Sequence, residues 1–314
     1  MEFERPLDEL ENKLASLKRV HVGEDAELAA QITELETEIG RLHETLYTVL
    51  TPWERVQISR HPERPKTDDY LSELFTDVIE LHGDRLFGDD EAMFAGFATL
   101  DGRHVAVLGH RKGKNTNENI RRNFGSPHPE GFRKAERLMH LADRFGLPIV
   151  SMLDTAGAYP GIEAEDRGQA LAIAECLAVL SRVRVPVIVV GIGEGGSGGA
   201  LAIGFGDRLI MLENAYYSVI SPEMCATILH KDARRASETS ACLQLTAEDL
   251  KRMGLADEVV GEPLGGAHRD PASVFTSVGA ALTRSLDELA KIAPDVLVSS
   301  RYERLRAIGV YAQE

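Results

Sequence analysis

A glycine-rich loop at residues 191–199 has the composition and spacing that most directly suggest chemistry. Six of its nine residues are glycine, and it lies between a β-branched run at 187–190 and a helix-forming run at 200–203. Glycine lets a ligand approach the backbone closely, and the first N–H groups of a helix have no acceptor within the helix. The loop is therefore predicted to bind an anion, or a group on which negative charge develops during a reaction.

A dinucleotide site is the first interpretation of this loop. Gly191, Gly193 and Gly196 match the GxGxxG pattern, and Glu213 stands about where an acid would bind a ribose. Such a site needs a complete crossover helix between the glycines and the strand that carries Glu213. Only about nine residues are available for that helix, which is shorter than such connections usually are.

Two other interpretations place the chemistry at the end of the loop. Residues 195–199 match the GxSxG pattern of a hydrolase nucleophile elbow, in which Ser197 would be the nucleophile. Acids and a histidine follow in the sequence, but a catalytic triad is defined by its geometry. Alternatively, the backbone N–H groups of Gly198 and Gly199 form an oxyanion hole, which needs no reactive side chain.

A second turn of the same kind precedes the first. The apolar run at 147–153 leads into the sequence DTAGAYPG at 154–161, as the run at 185–190 leads into the glycine-rich loop. Repeated strand–turn–helix units predict parallel strands with helices outside them. The two glycine turns are therefore expected at neighbouring strand ends, and the oxyanion interpretation accounts for both.

The hydropathy pattern also predicts the elements that must position these turns. Apolar residues spaced by three and four positions between 7 and 49 indicate an amphipathic helical hairpin with its turn at 20–25. The sequence at 51–53 is predicted to end the second helix, and 61–65 to form a rigid linker, so we expect domains at 1–66 and 67–314. Further strands are predicted at 92–100, 104–110, 207–213 and 256–260, and further helices at 67–81, 164–183 and from near residues 222, 246 and 271.

Composition excludes several classes of function. The formal net charge of −15 argues against general binding to nucleic acids or anionic membranes, and neither a signal sequence nor an apolar run of about 20 residues is seen. We therefore expect a cytoplasmic protein. Cys176, Cys225 and Cys242 are too few and too far apart for a zinc site or a disulfide framework, so no metal is expected in this chain.

Residues 111–134 reverse the overall sign of the charge. They contain seven Lys or Arg residues and two acids, which suggests an anionic ligand or an acidic partner. The Lys112-Gly113-Lys114 sequence lacks the spacing of a Walker phosphate-binding loop, so no ATP site is predicted here.

Six sequence segments together resemble the α subunits of bacterial acetyl-coenzyme A carboxylase carboxyltransferases. The resemblance covers nearly the whole chain, and the segments occur in the order found in that family. They are KGKNTNENIRRNFGSPHPEGFRKAERLM at 112–139, DTAGAYPG at 154–161, AEDRGQ at 164–169, IGEGGSGGALAIG at 192–204, YSVISPE at 217–223 and EPLGGAHRDP at 262–271.

This resemblance implies an α/β fold, a crotonase-type spiral of ββα units, with an N-terminal helical hairpin. It implies an α2β2 carboxyltransferase whose β subunit carries a zinc ribbon. The complex would transfer a carboxyl group from carboxybiotin, held by a biotin carboxyl carrier protein, to acetyl-CoA. The product would be malonyl-CoA, in the first committed step of fatty-acid synthesis, and ATP would be used only by a separate biotin carboxylase.

The resemblance also implies the residues of the site. The N–H groups of Gly198 and Gly199 would face the ureido oxygen of biotin as an oxyanion hole. The other implied substrate-binding residues are Gly195, Gly196, Ser197, Ala200, Gly157, Ala158, Tyr159, Gly161, Arg121 and Arg122.

The chain departs from the family pattern at four positions. Ala156 stands where proline is usual, Met224 where glycine is usual, and Asn117 and Asn119 where lysines are usual. Met224 is expected to add a large side chain beside the biotin pocket, and the two asparagines remove positive charge from the basic segment.

Two other functions remain open from the sequence. One is a stand-alone crotonase-type hydratase or isomerase, in which Glu163 or Glu194 would be the catalytic acid or base. The other is a scaffold that only binds partners through its N-terminal hairpin.

Overall fold

The computed structural model describes residues 1, 3–20 and 26–309. Most of the predicted hairpin turn, 21–25, lies outside the described residues. Within the described ranges the chain forms fourteen α-helices and one sheet of eight strands. The strands are β1 (Thr76–Glu80), β2 (Met93–Leu100), β3 (Arg103–His110), β4 (Ile149–Thr155), β5 (Val187–Gly196), β6 (Arg208–Leu212), β7 (Tyr216–Ser218) and β8 (Glu258–Val260).

The helices cover both the N-terminal segment and the connections between the parallel strands. They are α1 (Arg5–Val20), α2 (Ala26–Thr48), α3 (Pro52–Ser59), α4 (Thr67–Leu74), α5 (Thr116–Arg121), α6 (Pro129–Phe145), α7 (Ile162–Asp166), α8 (Gln169–Leu180), α9 (Ser197–Leu201), α10 (Pro222–His230), α11 (Ala236–Leu243), α12 (Ala247–Arg252), α13 (Pro271–Leu289) and α14 (Pro294–Arg306). Within the described ranges, none of them is both long and apolar enough to cross a membrane.

The sheet is antiparallel at its first edge and parallel beyond it. Its order is β1-β2-β3-β4-β5-β6-β8, with β7 paired to β5. β2 and β3 form the predicted hairpin, because Asp101 and Gly102 both adopt the positive φ angles that a two-residue hairpin turn requires. From β3 onward the strands run parallel, as the strand–helix alternation predicted.

The two central parallel strands form the core on which the glycine turns rest. Every residue of β4 and β5 is buried, and helices α6 and α8 pack against each other, with α6 lying on β2 and β3. Thr155, at the carboxyl end of β4, lies opposite Gly195 in β5. The two glycine turns are therefore neighbours, as the repeated units predicted.

Two predicted helices are shorter than expected. The segment predicted as one helix at 67–81 forms α4 and then the edge strand β1, because its β-branched residues pair with β2. The helix predicted at 164–183 is divided into α7 and α8 by Gly168, whose φ of +83° interrupts a right-handed helix.

The connection from the N-terminal helices to the sheet is more ordered than predicted. Pro52, expected only to end α2, is the first residue of α3, and Thr51 caps that helix. The predicted linker at 61–65 includes Arg64, which is buried and ion-paired with Glu262. A small apolar cluster of Leu7, Tyr47 and Ile58 joins α1, α2 and α3.

Candidate functional site

The glycine-rich segment is only partly the loop that was predicted: residues 191–196 continue strand β5, and the chain then turns directly into the short helix α9. Ser197, the first residue of α9, has a φ of +51°, a left-handed conformation that is unusual for a residue with a side chain. Its hydroxyl makes no hydrogen bond to a histidine or to any other residue in the described ranges. The turn thus has the strained shape of a nucleophile elbow without the base that a hydrolase needs.

Packing accounts for most of these glycines, so their number does not by itself indicate a ligand. A Cβ atom at Gly196 would lie 2.1 Å from the Ala156 carbonyl oxygen, and one at Gly199 would lie 2.3 Å from the Ala158 nitrogen. In the strand, Gly191, Gly193 and Gly195 are equally confined: their added Cβ atoms would lie 2.5 Å from Met211, 2.5 Å from Asp154 and 2.9 Å from Tyr216 respectively.

Gly198 is the exception in this loop. A Cβ atom there would meet only Ile173, at an ordinary contact distance of 3.5 Å. In the first turn of α9, the N–H groups of Gly198 and Gly199 make no hydrogen bond to the described residues. The turn therefore has two free backbone donors and open space beside one of them.

A cavity of about 320 Å³ borders this turn. Its lining is mostly apolar, and it includes Ser197 and Gly198 of α9, Arg304 and Leu305 in the last turn of α14, and Ile308 beyond that helix. The remaining contributors come from the end of α9, from β6, β7 and α12, and from the segments that follow them: Leu201, Gly204, Phe205, Leu209, Tyr217, Ser218, Val219, Leu250 and Leu255. Met224, which is expected beside the biotin pocket, is not among the lining residues of this cavity.

A buried network of charges holds the stem of the loop. Glu194 accepts hydrogen bonds from Lys112 at 2.6 Å, from Arg60 at 2.6 Å and from Tyr216 at 2.9 Å, and Lys112 also contacts Asp154 at 2.8 Å. Burial alone would raise the pKa of Glu194, but the charges of Lys112 and Arg60 outweigh it and hold that pKa at about 2. Glu194 therefore stays ionised near neutral pH and ties β5 to β3 and α3.

This network weakens the hydratase interpretation. A general acid or base works best when its pKa lies near the working pH, and Glu194 is far below it. The other candidate, Glu163, lies at the surface, where hydrogen bonds from its own backbone N–H and from the Tyr159 hydroxyl lower its pKa.

The structure brings together only some of the predicted site residues. Residues 195–200 form one turn, and Gly157 and Ala158 pack directly against it. Tyr159 and Gly161 lie farther along the second turn, where the Tyr159 ring packs against His128 at 4.1 Å. Arg121 and Arg122 form their ion pairs away from both turns in the sequence, with Glu91 and Asp68 respectively.

The seven cations of the basic segment are all neutralised within the chain. Each forms an ion pair with an acid that is distant in the sequence: Arg111 with Asp68 and Glu80, Lys112 with Asp154 and Glu194, Lys114 with Asp69, Arg121 with Glu91, Arg122 with Asp68, Arg133 with Asp84, and Lys134 with Asp89. The local reversal of charge therefore does not by itself indicate an anionic ligand. Within the described ranges, no three His, Cys, Asp or Glu side chains are grouped so that they could hold a metal ion.

Sequence reasoning missed His110, Arg60 and the partners of Glu194. His110 hydrogen-bonds the carbonyl of Gly199, and the two residues are 89 positions apart in the chain. Arg60 and Glu194 are 134 positions apart. No local pattern signals such contacts, although a histidine at the end of a buried strand is a weak indication.

The chain is similar to known carboxyltransferase subunits. A family model described as acetyl co-enzyme A carboxylase carboxyltransferase-like matches residues 1–309. The chain is 51% identical over 313 residues to the acetyl-coenzyme A carboxylase carboxyl transferase subunit alpha of Thermus thermophilus, covering 100% of this chain and 99% of that protein. It is also 51% identical over 312 residues to the protein of that name from Geobacillus sp., covering 99% and 96%.

A solved structure of transcarboxylase 12S shares the fold. The TM-score is 0.59 with 19% sequence identity, and the match covers 77% of this chain and 45% of the transcarboxylase chain, so this chain spans less than half of that one. The predicted α/β fold of the crotonase type is thus confirmed, and the sequence similarities favour a carboxyltransferase over a hydratase. With a family model matching almost its whole length and relatives half identical to it, the chain belongs to the family of acetyl-coenzyme A carboxylase carboxyltransferase α subunits.

Proposed function

We propose that this chain provides the biotin-binding half of a carboxyltransferase that moves a carboxyl group from carboxybiotin to acetyl-CoA. Carboxybiotin would be presented by a biotin carboxyl carrier protein, and the product would be malonyl-CoA for fatty-acid synthesis in the cytoplasm. The observation that carries this proposal is the 51% identity to α subunits over the full length of the chain. ATP would be consumed elsewhere, by a separate biotin carboxylase.

The proposed chemistry requires stabilisation of one oxygen atom. When the bond between the carboxyl group and the ureido nitrogen breaks, CO2 leaves and negative charge spreads onto the ureido oxygen. That nitrogen then takes a proton from the acetyl methyl group, and the resulting enolate forms the new carbon–carbon bond to CO2. The N–H groups of Gly198 and Gly199 would donate to the ureido oxygen, which lowers the barrier to the first step.

The cavity beside Gly198 suits this substrate. Biotin is apolar apart from its ureido group and its carboxyl end, and the cavity has an apolar lining with the backbone donors of α9 at its edge. Gly195, Gly196, Ser197 and Ala200 would shape this edge, and Gly157 and Ala158 would support it from the second turn.

The outer part of the proposed substrate site rests on less structural support. Tyr159 and Gly161 lie beyond the contact between the two turns. Arg121 and Arg122 would have to leave their acidic partners, or contact substrate while still paired, in order to bind an anion. We retain them in the proposal on the resemblance to the family alone.

A partner subunit would complete the site. Apolar side chains are exposed beside the cavity and along the adjoining helix α10, which is unusual for a surface in contact with water only. They are Leu201, Val219, Met224, Ile228 and Leu229. We propose that a zinc-ribbon β subunit covers this face in an α2β2 complex and supplies the acetyl-CoA site.

A substitution at Gly198 tests this proposal. Because only Ile173 lies near a Cβ atom there, Gly198→Leu should fold but fill the cavity beside the backbone donors. We expect carboxyl transfer between malonyl-CoA and biocytin, measured with the complex containing the β subunit, to fall at least about 100-fold, the effect of losing one oxyanion donor. The matched control is Gly40→Leu, because Gly40 is exposed on α2 with no atom within 4 Å of its added Cβ atom. Normal transfer by Gly198→Leu would refute the proposed site.

A further inference from the structure

His110 lies fully buried between the two glycine turns, at the end of β3. Its Nδ1 accepts a hydrogen bond from the Asp154 N–H at 3.4 Å, and its Nε2 donates to the Gly199 carbonyl oxygen at 3.1 Å. Because the Gly199 carbonyl can only accept, Nε2 of the ring carries the proton of this hydrogen bond. Burial lowers the pKa of His110 to about 4, and it outweighs the hydrogen bonds to the Gly199 and Met152 carbonyl groups, which raise that pKa; the charge of Lys112 lowers it further.

The Gly199 carbonyl has no partner in its own helix. The helix ends within one turn: the Ala202 N–H donates to the Gly198 oxygen, and the Ile203 N–H donates to the Ala200 oxygen. The Gly199 oxygen lies between these two acceptors in sequence and is left for His110. An unpaired buried carbonyl would be costly, so the imidazole N–H satisfies a group that the short helix cannot.

The position of this hydrogen bond matters because consecutive glycines restrict the backbone little. Gly198 and Gly199 have no side chains that would limit φ and ψ, so contacts from outside must fix the directions of their N–H groups. Backbone packing of the 157–158 turn confines Gly199 on one side. The His110 hydrogen bond holds the opposite end of the same residue, and through the Asp154 N–H it holds the second turn as well.

We propose that His110 is a positioning residue for the carboxyl-transfer reaction: its neutral imidazole fixes the Gly198-Gly199 backbone so that both N–H groups point at the ureido oxygen. This inference rests on the proposed function. His110 does not touch substrate, and its effect is transmitted through the Gly199 carbonyl. A role limited to stability would leave the catalytic rate of the folded protein unchanged.

Three variants separate these roles. His110→Phe keeps a ring but removes the N–H donor. His110→Leu also removes the donor but adds no volume, and it serves if the larger phenylalanine ring prevents folding. His110→Gln restores an N–H that can reach the Gly199 oxygen. The control is His104→Phe, on the same strand but exposed to solvent.

The first measurement is steady-state kinetics of the complex with its β subunit. We expect kcat to fall about 10- to 100-fold in His110→Phe or His110→Leu, with KM for the CoA substrate changed less than about twofold, because the lost interaction acts on the transition state. His110→Gln should recover to within about threefold of the wild type. The inference would be overturned if folded His110→Phe or His110→Leu kept the wild-type kcat. It would also be overturned if His110→Gln lost as much kcat as those two variants do.

The second measurement does not depend on turnover. Hydrogen–deuterium exchange at residues 197–203 of the same complexes should be faster in His110→Phe or His110→Leu than in His104→Phe, and close to the wild type in His110→Gln. Unchanged exchange at those residues would also overturn the inference. Failure of the proposed function has a different signature, since it would appear as normal transfer by Gly198→Leu.

Discussion

Two adjacent residues, Gly198 and Gly199, should respond differently to the addition of one methyl group. At Gly199 a Cβ atom would lie 2.3 Å from the Ala158 nitrogen, and backbone atoms cannot move aside as a flexible side chain can. We therefore expect Gly199→Ala to lower the free energy of unfolding by about 1–3 kcal/mol, the usual cost of overpacking. Gly198→Ala, whose Cβ atom would lie 3.5 Å from Ile173, serves as the control and should remain near the wild type. Urea denaturation measures both, and equal stabilities would contradict the packing described for this turn.

The buried imidazole of His110 should make the stability of the chain depend on pH. Its pKa is about 4 in the folded state and 6.5 ordinarily, so between these values the unfolded chain binds a proton that the folded chain excludes. Stability from this group is complete above pH 6.5 and is lost as the pH falls towards 4. Between pH 7 and pH 5 the wild type should lose about 2 kcal/mol more than His110→Gln.

Chemical denaturation at the two pH values measures this difference. Other histidines with lowered pKa values, such as His268, contribute equally to both proteins and cancel in the comparison. The corresponding control is His104→Gln, at an exposed position of the same strand. A pH dependence that is the same in the wild type and His110→Gln would show that His110 is not held neutral.

At the scale of elements, the sequence predicts the long and repeated parts of the fold best. β4 and β5 each begin with an apolar run that leads into a glycine turn, so their type, direction and adjacency follow from local pattern and the packing of parallel strands. Short elements depend on distant contacts. β1 is a strand because it pairs with β2. Helix α3 begins at Pro52, the residue that was expected only to end α2.

In the candidate site too, some contacts could be predicted from local sequence pattern, whereas those between distant residues could not. The contact between residues 157–158 and Gly199 could be anticipated, because neighbouring parallel strands end at the same edge of a sheet. The groups that hold the turns could not be anticipated, since His110 ends the hairpin strand β3, Lys112 follows that strand, and Arg60 follows α3. Arg64, in the segment between the two expected domains, is buried against Glu262, while the boundary at residue 66 stays a prediction.

At the scale of the whole molecule, one buried arginine joins the C-terminal helix to the sheet. Arg301 of α14 pairs with Asp207 through two hydrogen bonds, at 2.7 and 2.9 Å, and both side chains are almost completely buried. Arg301 also donates to three carbonyl groups near the end of α8 and the start of β5: those of Leu180, Val183 and Val185. Asp207 in turn accepts from the Val187 N–H.

Removing only one residue of the Arg301–Asp207 pair should lower the free energy of unfolding by far more than the intact pair contributes to it. Arg301→Leu leaves the Asp207 carboxylate and three carbonyl groups without their partner in the interior, so we expect the free energy of unfolding to fall by about 3–5 kcal/mol.

In Arg301→Leu/Asp207→Leu no charge is left unpaired, and the loss should be smaller than the sum of the two single losses, which a double-mutant cycle by urea denaturation measures. The control is Arg306→Leu, at an exposed position near the end of the same helix, which should change stability by less than about 0.5 kcal/mol. Since the last turn of α14 also lines the cavity beside Gly198, Arg301→Leu should weaken biotin binding to the complex as well. Strictly additive single losses would contradict the coupling between α14 and the sheet.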